Sequence, residues 1–512
     1  MTTNSDELIT KLFSVSQIKE ADKYTISHEP ITSIDLMERA AKACVEWIVK
    51  HITKDKDIHI FCGHGNNGGD GLAIARLLLE KKYSVTCYLI SSSQYSTDCN
   101  TNKKRLEEAF KDHLQIISSK KDLPLIQESE IIIDALLGTG LNKAPAGLYA
   151  NIIQHINQFV VPVISIDVPS GLLCDEESSH SDLIIKATKT LSFQFSKLAF
   201  LFPENKTYVG NWEILNIKLH PDFIKSEKTN KYLLNHSFIS SILKPRDKFS
   251  HKGTFGHGLI MAGSKGKMGA AILASKSFLR SGAGLLTMLI PECGYEIIQT
   301  STPEAMALTS GTDDINIKEI DLSIYKSIAL GPGIGSGESV RKSVNYILNH
   351  CSMPLVIDAD ALNCIGIDRN QLNIIPENSI LTPHLKEFER LTEPIKSDFE
   401  RHRLQIEFSK KHKVYLILKG AHTCISTPDG EVYFNNTGNA GLAKGGSGDI
   451  LTGLIAGLLA QNYSPKEAAL IGVYLHGFAA DITKDKSSES TMLPSDVIEH
   501  YTDAINNLLK TH

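Results

Sequence analysis

Short apolar runs that stop at a glycine turn and give way to a helical pattern recur along this chain, and that recurrence constrains the fold more than any other feature. Residues 58–62 run into Gly63-His64-Gly65-Asn66-Asn67-Gly68-Gly69-Asp70-Gly71, with a helix expected over 72–80. Residues 131–137 run into Gly138-Thr139-Gly140-Leu141, and 163–167 into Val168-Pro169-Ser170-Gly171. In the second half 259–262 leads to Gly263 and a helix expected over 270–280. Later runs end at Gly331-Pro332-Gly333-Ile334-Gly335, within 355–363, and, for 414–418, at Lys419-Gly420. Apolar strands alternating with helices imply parallel sheets covered on both faces, so the expected class is α/β and doubly wound. A chain of 512 residues is too long for one ordinary core. The polar stretch within 220–250 breaks the pattern, which places a boundary there and gives domains 1–222 and 223–512.

Composition excludes several function classes. With 53 Lys and Arg against 58 Asp and Glu, the net charge is -5, so no basic field exists for nucleic acid or acidic lipid. Any phosphate must be held locally. Nine cysteines lack a C-x-x-C pair, which argues against a disulfide framework or zinc site and for buried thiols in a reducing compartment. The start of the chain has no charged and apolar leader, and no apolar run approaches membrane-spanning length. A cytoplasmic protein with no membrane or nucleic-acid partner is expected.

The chemistry gathers at the strand ends. Residues 8–50 are helical in pattern, with Ile18, Ala21 and Asp22 in one helix and Ile34, Leu36, Met37, Ala40, Ala41, Cys44 and Val45 forming one face of another. Gly63, Gly65 and Gly68 have the spacing that sets a pyrophosphate at a helix N-terminus. The ribose-binding acid expected after the next strand is missing, because that strand ends in Ser91-Ser92-Ser93. Asn66, Asn67 and Asp70 instead crowd oxygen-bearing groups into the turn, which suits a hydrogen-bonded substrate or a hard cation. Parallel strands put Asp134, Asp167 and Ser170 on the same rim.

The stretch from 435 to 453 is the second focus. Gly438, Gly441, Gly445, Gly446 and Gly448 bare their backbone N–H groups, and a buried helix is expected just after Asp449. Such a turn cradles an anion at the positive end of a helix, and Asp449 is placed to take a proton from a hydroxyl beside it. A glycine turn capped by an aspartate has the same composition. The loop at 263–269 is not a P-loop, since Met268 follows Lys267 where Ser or Thr is required.

Over residues 10–218, Gly-Asn-Asn-Gly-Gly-Asp-Gly-Leu at 65–72, Asp-Ala-Leu-Leu-Gly-Thr-Gly-Leu at 134–141, Asp-Val-Pro-Ser-Gly at 167–171 and Thr190-Leu191-Ser192-Phe193 resemble the NAD(P)H-hydrate epimerase family. The resemblance implies a Rossmann-like domain whose substrate site is lined by Asn66, Asn67, Gly68, Gly69 and Asp70 and by Gly138, Thr139, Gly140, Leu141, Asn142, Lys143 and Ala144. It also implies that Asp167 contacts substrate and assists catalysis, and that Asn67, Asp134 and Ser170 hold K+. Asp167 acts either as base or by orienting the substrate.

Over residues 250–505, Lys-Gly-Thr-Phe-Gly, Gly-Pro-Gly-Ile-Gly, Asp-Ala-Asp-Ala-Leu-Asn, Thr-Pro-His-x-x-Glu-Phe, Lys-Gly-Ala-x-Thr and Gly-Gly-Ser-Gly-Asp resemble the ADP-dependent NAD(P)H-hydrate dehydratases of the ribokinase superfamily. That likeness implies a ribokinase-like doubly wound domain. Ala270 or Ala271, Gly333, His384 and Asp449 fall in its hydrated-cofactor site; Lys419, Gly420, Ala421, His422 and Thr423 with Gly446, Ser447 and Gly448 fall in its nucleotide site. ADP is the implied co-substrate, with Mg2+ as its counterion. Lys444 departs from the family pattern and is expected either beside the nucleotide phosphates or solvated. Hydrated NADH and NADPH are the implied substrates, and a homo-oligomer is expected. Two other readings share these motifs. One is a small-molecule kinase, which also uses Gly-Ser-Gly-Asp; the other is an N-terminal scaffold that binds a nucleotide without turnover.

Overall fold

The computed structural model describes residues 9–510, which divide into two compact units. One holds 11–229 with 397–399; the other holds 230–396 and 400–510 with Ile9 and Thr10. Counting strands along the chain, β1 is Thr10–Lys11. The first unit then carries β2 (Asp57–Cys62), β3 (Ser84–Ile90), β4 (Leu114–Ile117), β5 (Ile131–Ala135), β6 (Val163–Ile166), β7 (Lys189–Phe193) and β8 (Asn211–Leu215). All pair in parallel in the order β4-β3-β2-β5-β6-β7-β8. Every residue of β5, Ile-Ile-Ile-Asp-Ala, is buried, as a strand covered on both faces requires. The order reverses between β2 and β5, and the carboxyl ends of those strands open a crevice there.

Helices Val15–His28 and Ser33–His51 form where the pattern places them, and Leu36, Met37, Ala40, Ala41, Cys44 and Val45 of the second are buried. The expected helix over 72–80 needs correction. It spans Asn66–Glu80, so the Asn-Asn-Gly-Gly-Asp segment is its first turns rather than a loop. The glycines serve close packing. A Cβ on Gly68 would stand 1.8 Å from the Gly63 carbonyl oxygen, and one on Gly71 would stand 2.6 Å from Ala135 Cβ. The helix therefore presses on the ends of β2 and β5 at a distance no other residue permits.

The second unit holds β9 (Lys231–Leu233), β10 (His257–Met261), β11 (Leu285–Ile290), β12 (Met306–Thr309), β13 (Ser327–Leu330), β14 (Leu355–Ile357), β15 (Ile380–Leu381), β16 (Tyr415–Leu418), β17 (Cys424–Ser426) and β18 (Val432–Phe434). The sheet order is β1-β9-β18-β17-β16-β15-β14-β13-β10-β11-β12. From β12 to β16 it is parallel; β17 runs antiparallel to both neighbours. Here the order reverses between β10 and β13, which sets a second crevice beside Gly263 and Gly331. Helix Ser447–Ala460 packs on helix Met268–Arg280 through glycines: a Cβ on Gly453 would come 2.2 Å from the Ala274 carbonyl oxygen.

Three further expectations are corrected. The polar stretch within 220–250 is not irregular, since it forms helix Pro221–Ser226, strand β9 and helix His236–Ile242, and β9 pairs with β18. Its half-exposed position explains why a strand can be polar there. Helix Ser447–Ala460 begins before Asp449, because Gly446, at φ +100°, turns the chain directly into it. Of the cysteines, Cys293 is exposed and the others are buried. Among the described residues no helix is long and apolar enough to cross a membrane.

Candidate active sites

In the first unit a cavity of about 390 Å³ is lined by Asp22, Asn66, Asp70, Thr139, Asp167 and Phe193, among others. Each polar group arrives from a different element: Asp22 from helix Val15–His28, Asn66 and Asp70 from the first turns of helix Asn66–Glu80, Thr139 from the loop after β5, and Asp167 from the end of β6. Asp167 adopts φ +63°, an uncommon conformation for a residue other than glycine, and its carboxylate meets a buried lysine. Lys197 is 1% exposed and donates to Asp167 Oδ1 at 2.6 Å and to Ser192 Oγ at 2.7 Å. The Phe193 N–H also donates to Asp167 Oδ1, at 3.1 Å. Burial pushes the Asp22 carboxyl up to about 7, with the negative Asp167 adding to the rise and Lys197 opposing it. Burial, with Asp167, Asp22 and Asp98 in support, likewise holds Asp70 well above the usual carboxylate range.

Asn67 and Gly68 lie buried beneath this cavity, and Gly69 lies against Met37, so of Asn66 to Asp70 only the two end residues line it. Gly138 approaches Asn67, a Cβ on it standing 3.2 Å from Asn67 Cβ. Gly140 comes near Lys19, and Leu141 is half-buried. Asn142, Lys143 and Ala144 are exposed on the loop beyond.

Asp134 is fully buried at the end of β5, and among the described residues no cationic side chain pairs with it. Its carboxylate accepts from Ser165 Oγ at 2.8 Å, from the Ser170 N–H at 2.9 Å and from Ser170 Oγ at 2.5 Å. Burial raises its pKa against those hydrogen bonds. Ser170 Oγ also lies 3.2 Å from the Leu137 carbonyl oxygen, and the buried side-chain amide nitrogen of Asn67 has no partner. Buried oxygens around a carboxyl that no cationic side chain pairs with fit a cation of low charge density.

In the second unit β14 delivers Asp358 and β16 delivers Lys419. Lys419 Nζ donates to Asp358 Oδ1 at 2.8 Å, and Thr452 Oγ1 donates to Asp358 Oδ2 at 2.8 Å. Burial alone would raise the Asp358 pKa, but the Lys419 charge and hydrogen bond outweigh it and hold the carboxyl below its ordinary value. A Cβ on Gly448 would stand 3.2 Å from Lys419 Nζ and 3.4 Å from Asp358 Oδ2. The start of helix Ser447–Ala460 therefore sits directly over this ion pair. Gly446 gives that helix no side-chain cap, and Ser447 Oγ is buried without a partner, so free donors collect at its positive end. Asp449 is half-buried beside them. Burial first, then Asp358 and Asp360, push its carboxyl up to about 6 while Lys419 opposes.

Gly333, at φ +64°, closes on the helix that follows β10: a Cβ there would lie 2.9 Å from Ala270 Cβ. Ala271 points into the apolar core. Asp360 Oδ2 accepts from the Gly335 N–H at 2.8 Å and from Lys267 Nζ at 3.3 Å. His384 caps helix Leu385–Leu391 with Glu387 at its third position, and half of its side chain is exposed. Gly420 and Ala421 are exposed after β16; Thr423 Oγ1 bonds back to the Gly420 carbonyl oxygen at 3.1 Å, with His422 half-buried between them. Lys444 is half-buried rather than fully solvated. It donates to the carbonyl oxygens of Ser490 at 3.0 Å and Met492 at 2.6 Å, which ties down the segment before helix Pro494–Glu499.

Sequence reasoning missed Lys197, Asp358 as a charged partner, and the part of Asp22 in the cavity. Lys197 sits in Phe-Ser-Lys-Leu, where nothing marks the lysine as buried. Asp358 and Asp360 stood in the quoted Asp-Ala-Asp motif, but which of them faces Lys419 depends on the end of β14.

A family model described as NAD(P)H-hydrate dehydratase matches residues 258–503, and one described as YjeF-related protein N-terminus matches residues 33–199. The chain is 32% identical to a bifunctional NAD(P)H-hydrate repair enzyme of Coxiella burnetii, over 97% of this chain and 100% of that one. Among solved structures, it is similar to an ADP/ATP-dependent NAD(P)H-hydrate dehydratase from Bacillus subtilis co-crystallized with ATP/Mg2+. That match has 34% identity and a TM-score of 0.48, and covers 54% of this chain and 97% of that one. A bifunctional NAD(P)H-hydrate repair enzyme of Moorella thermoacetica is 34% identical over 97% of each chain, and on that full-length match the chain belongs to the bifunctional NAD(P)H-hydrate repair enzyme family.

Proposed function

We propose that this chain repairs hydrated NADH and NADPH in two steps, with 1–222 as epimerase domain and 223–512 as dehydratase domain. The first interconverts the R and S forms at C6; the second dehydrates the S form with ADP, giving NAD(P)H, AMP and phosphate. The observation that carries the reading is the pairing in one chain of two separate crevices, each built at a sheet's reversal point and each holding a half-buried carboxyl: Asp167 in one, Asp449 in the other.

In the dehydratase crevice Asp449 takes the proton of the C6 hydroxyl, which its raised pKa suits. The freed oxygen attacks the terminal phosphoryl of ADP. The N–H groups of Gly448 and Asp449, Ser447 Oγ and the helix end stabilise the charge on that group, and the phosphate that forms leaves where hydroxide cannot. Lys419 and Gly420 to Thr423 lie beside the nucleotide, and Ala270, Gly333 and His384 beside the hydrated ring. Mg2+ would accompany the nucleotide phosphates as their counterion. In the epimerase cavity Asn66, Asp70, Thr139 and Asp167 hold the hydrated ring. Asn67, Asp134 and Ser170 would hold a K+ ion, which would supply positive charge near the substrate site. The buried, reduced thiols agree with a cytoplasmic protein, and a homo-oligomer belongs to the same reading.

The test follows recovery of nicotinamide absorbance from each epimer of hydrated NADH, with ADP and ATP compared. Recovery from both epimers supports two activities. A stable phosphorylated product without recovery supports a small-molecule kinase instead.

A further inference from the structure

We propose that Asp22 is a second proton-transferring carboxyl of the epimerase cavity, acting with Asp167; this rests on the epimerase reading above. The two carboxyls line one cavity from different elements, helix Val15–His28 and the end of β6. Their surroundings differ sharply. Asp167 Oδ1 is taken up by Lys197 Nζ, the Phe193 N–H and, at 3.4 Å, Ser192 Oγ, which leaves Oδ2 for the cavity. Lys197 is itself fixed by Ser192 Oγ and by the Phe193 and Phe195 carbonyl oxygens, so its charge stays beside Asp167. Asp22 has no comparable bond among the described residues, and burial pushes its carboxyl up to about 7, so about half of it carries a proton at neutral pH. Lys19 and Lys23 from its own helix, Asp70 from helix Asn66–Glu80, Asp167 and Lys197 are the charged and titratable groups around it. A carboxyl tied to a buried lysine and one without a hydrogen bond, facing one cavity, are placed to divide base and acid roles between them.

Asp22 gives its proton to the C6 hydroxyl, the C6–O bond breaks and water departs, while the N1 electron pair forms a C6–N1 double bond. Water then adds to the opposite face of C6 and N1 recovers its pair. The proton lost by that water goes to Asp167 Oδ2 and returns to Asp22 through solvent in the cavity.

The experiment measures epimerisation of hydrated NADH by the full-length protein across pH 5 to 9. In the wild type kcat falls as pH rises through about 7, where Asp22 deprotonates. Asp22→Asn lowers kcat by roughly 10²–10⁴-fold, with KM little changed and the alkaline limb gone. Asp22→Glu restores part of the rate with the limb displaced. A wild-type rate and profile in Asp22→Asn overturns the proposal, and if that variant does not fold, an undisplaced limb in Asp22→Glu does the same. No epimerisation by the wild type overturns the epimerase reading and this proposal with it.

Discussion

Lys419 and Asp358 meet at 2.8 Å against the start of the helix at Gly448, so the crevice of the second unit is floored by an ion pair whose carboxylate is buried. Asp358 is 1% exposed, and removing its partner strands a charge in the interior. Lys419→Met is therefore expected to cost about 3–5 kcal/mol in denaturant unfolding, and Asp358→Asn in that background recovers part of the loss. The pH sign follows from the lowered Asp358 pKa. Its contribution is present above the unfolded carboxyl's pKa and is lost as pH falls through the folded value, so the wild type weakens on acidification and the double variant does so less.

In the proposed mechanism Asp449 must be ionised to accept a proton, and burial pushes its carboxyl up to about 6. The dehydratase kcat/KM should rise as pH increases through about 6 and level off above it. Asp449→Asn should lose roughly 10²–10⁴-fold in dehydratase kcat. Steady-state rates of NADH recovery from the S epimer check both.

Gly446 and Gly448 answer to different constraints. At Gly446 the backbone is at φ +100° and a Cβ would stand 2.6 Å from Leu273 Cδ1, so Gly446→Ala should cost stability, on the order of 1–3 kcal/mol. Gly448 has an ordinary φ, and a Cβ there meets the flexible end of Lys419. Gly448→Ala should fold normally yet weaken ADP binding about tenfold, equivalent to ~1.4 kcal/mol, because the new methyl covers donors at the helix start. Calorimetric titration with ADP separates the two cases.

Asp134 offers a test of the cation. Potassium chloride should raise the unfolding midpoint of the wild type, by an increment reaching about 2.7 kcal/mol at a hundred times Kd, while sodium chloride at the same ionic strength does less. Asp134→Asn removes the negative charge that a cation needs and should abolish the difference.

Periodicity and glycine spacing made the alternation of strands and helices, and the two strand-end rims, legible in the sequence. The position of helix starts was not. Asn66 to Gly71 reads as a loop because glycine is common in turns, yet Gly68 and Gly71 are required by the approach of the helix to β2 and β5, a tertiary constraint. The 220–250 stretch looks like a linker because β9 lies half-exposed and gains its order from pairing with β18. Lys197 was invisible for a related reason, since a lysine's burial is decided by the carbonyl groups that the turn after β7 gathers around it.

The most direct measurement starts from the pure R epimer of hydrated NADH with ADP and Mg2+, comparing the wild type with Asp167→Asn and Asp449→Asn against the uncatalysed background. The account predicts NADH recovery by the wild type, none above background by Asp167→Asn, and conversion of R to S without NADH formation by Asp449→Asn. Equal recovery from R by the wild type and Asp167→Asn, or NADH formation by Asp449→Asn at the wild-type rate, would contradict it.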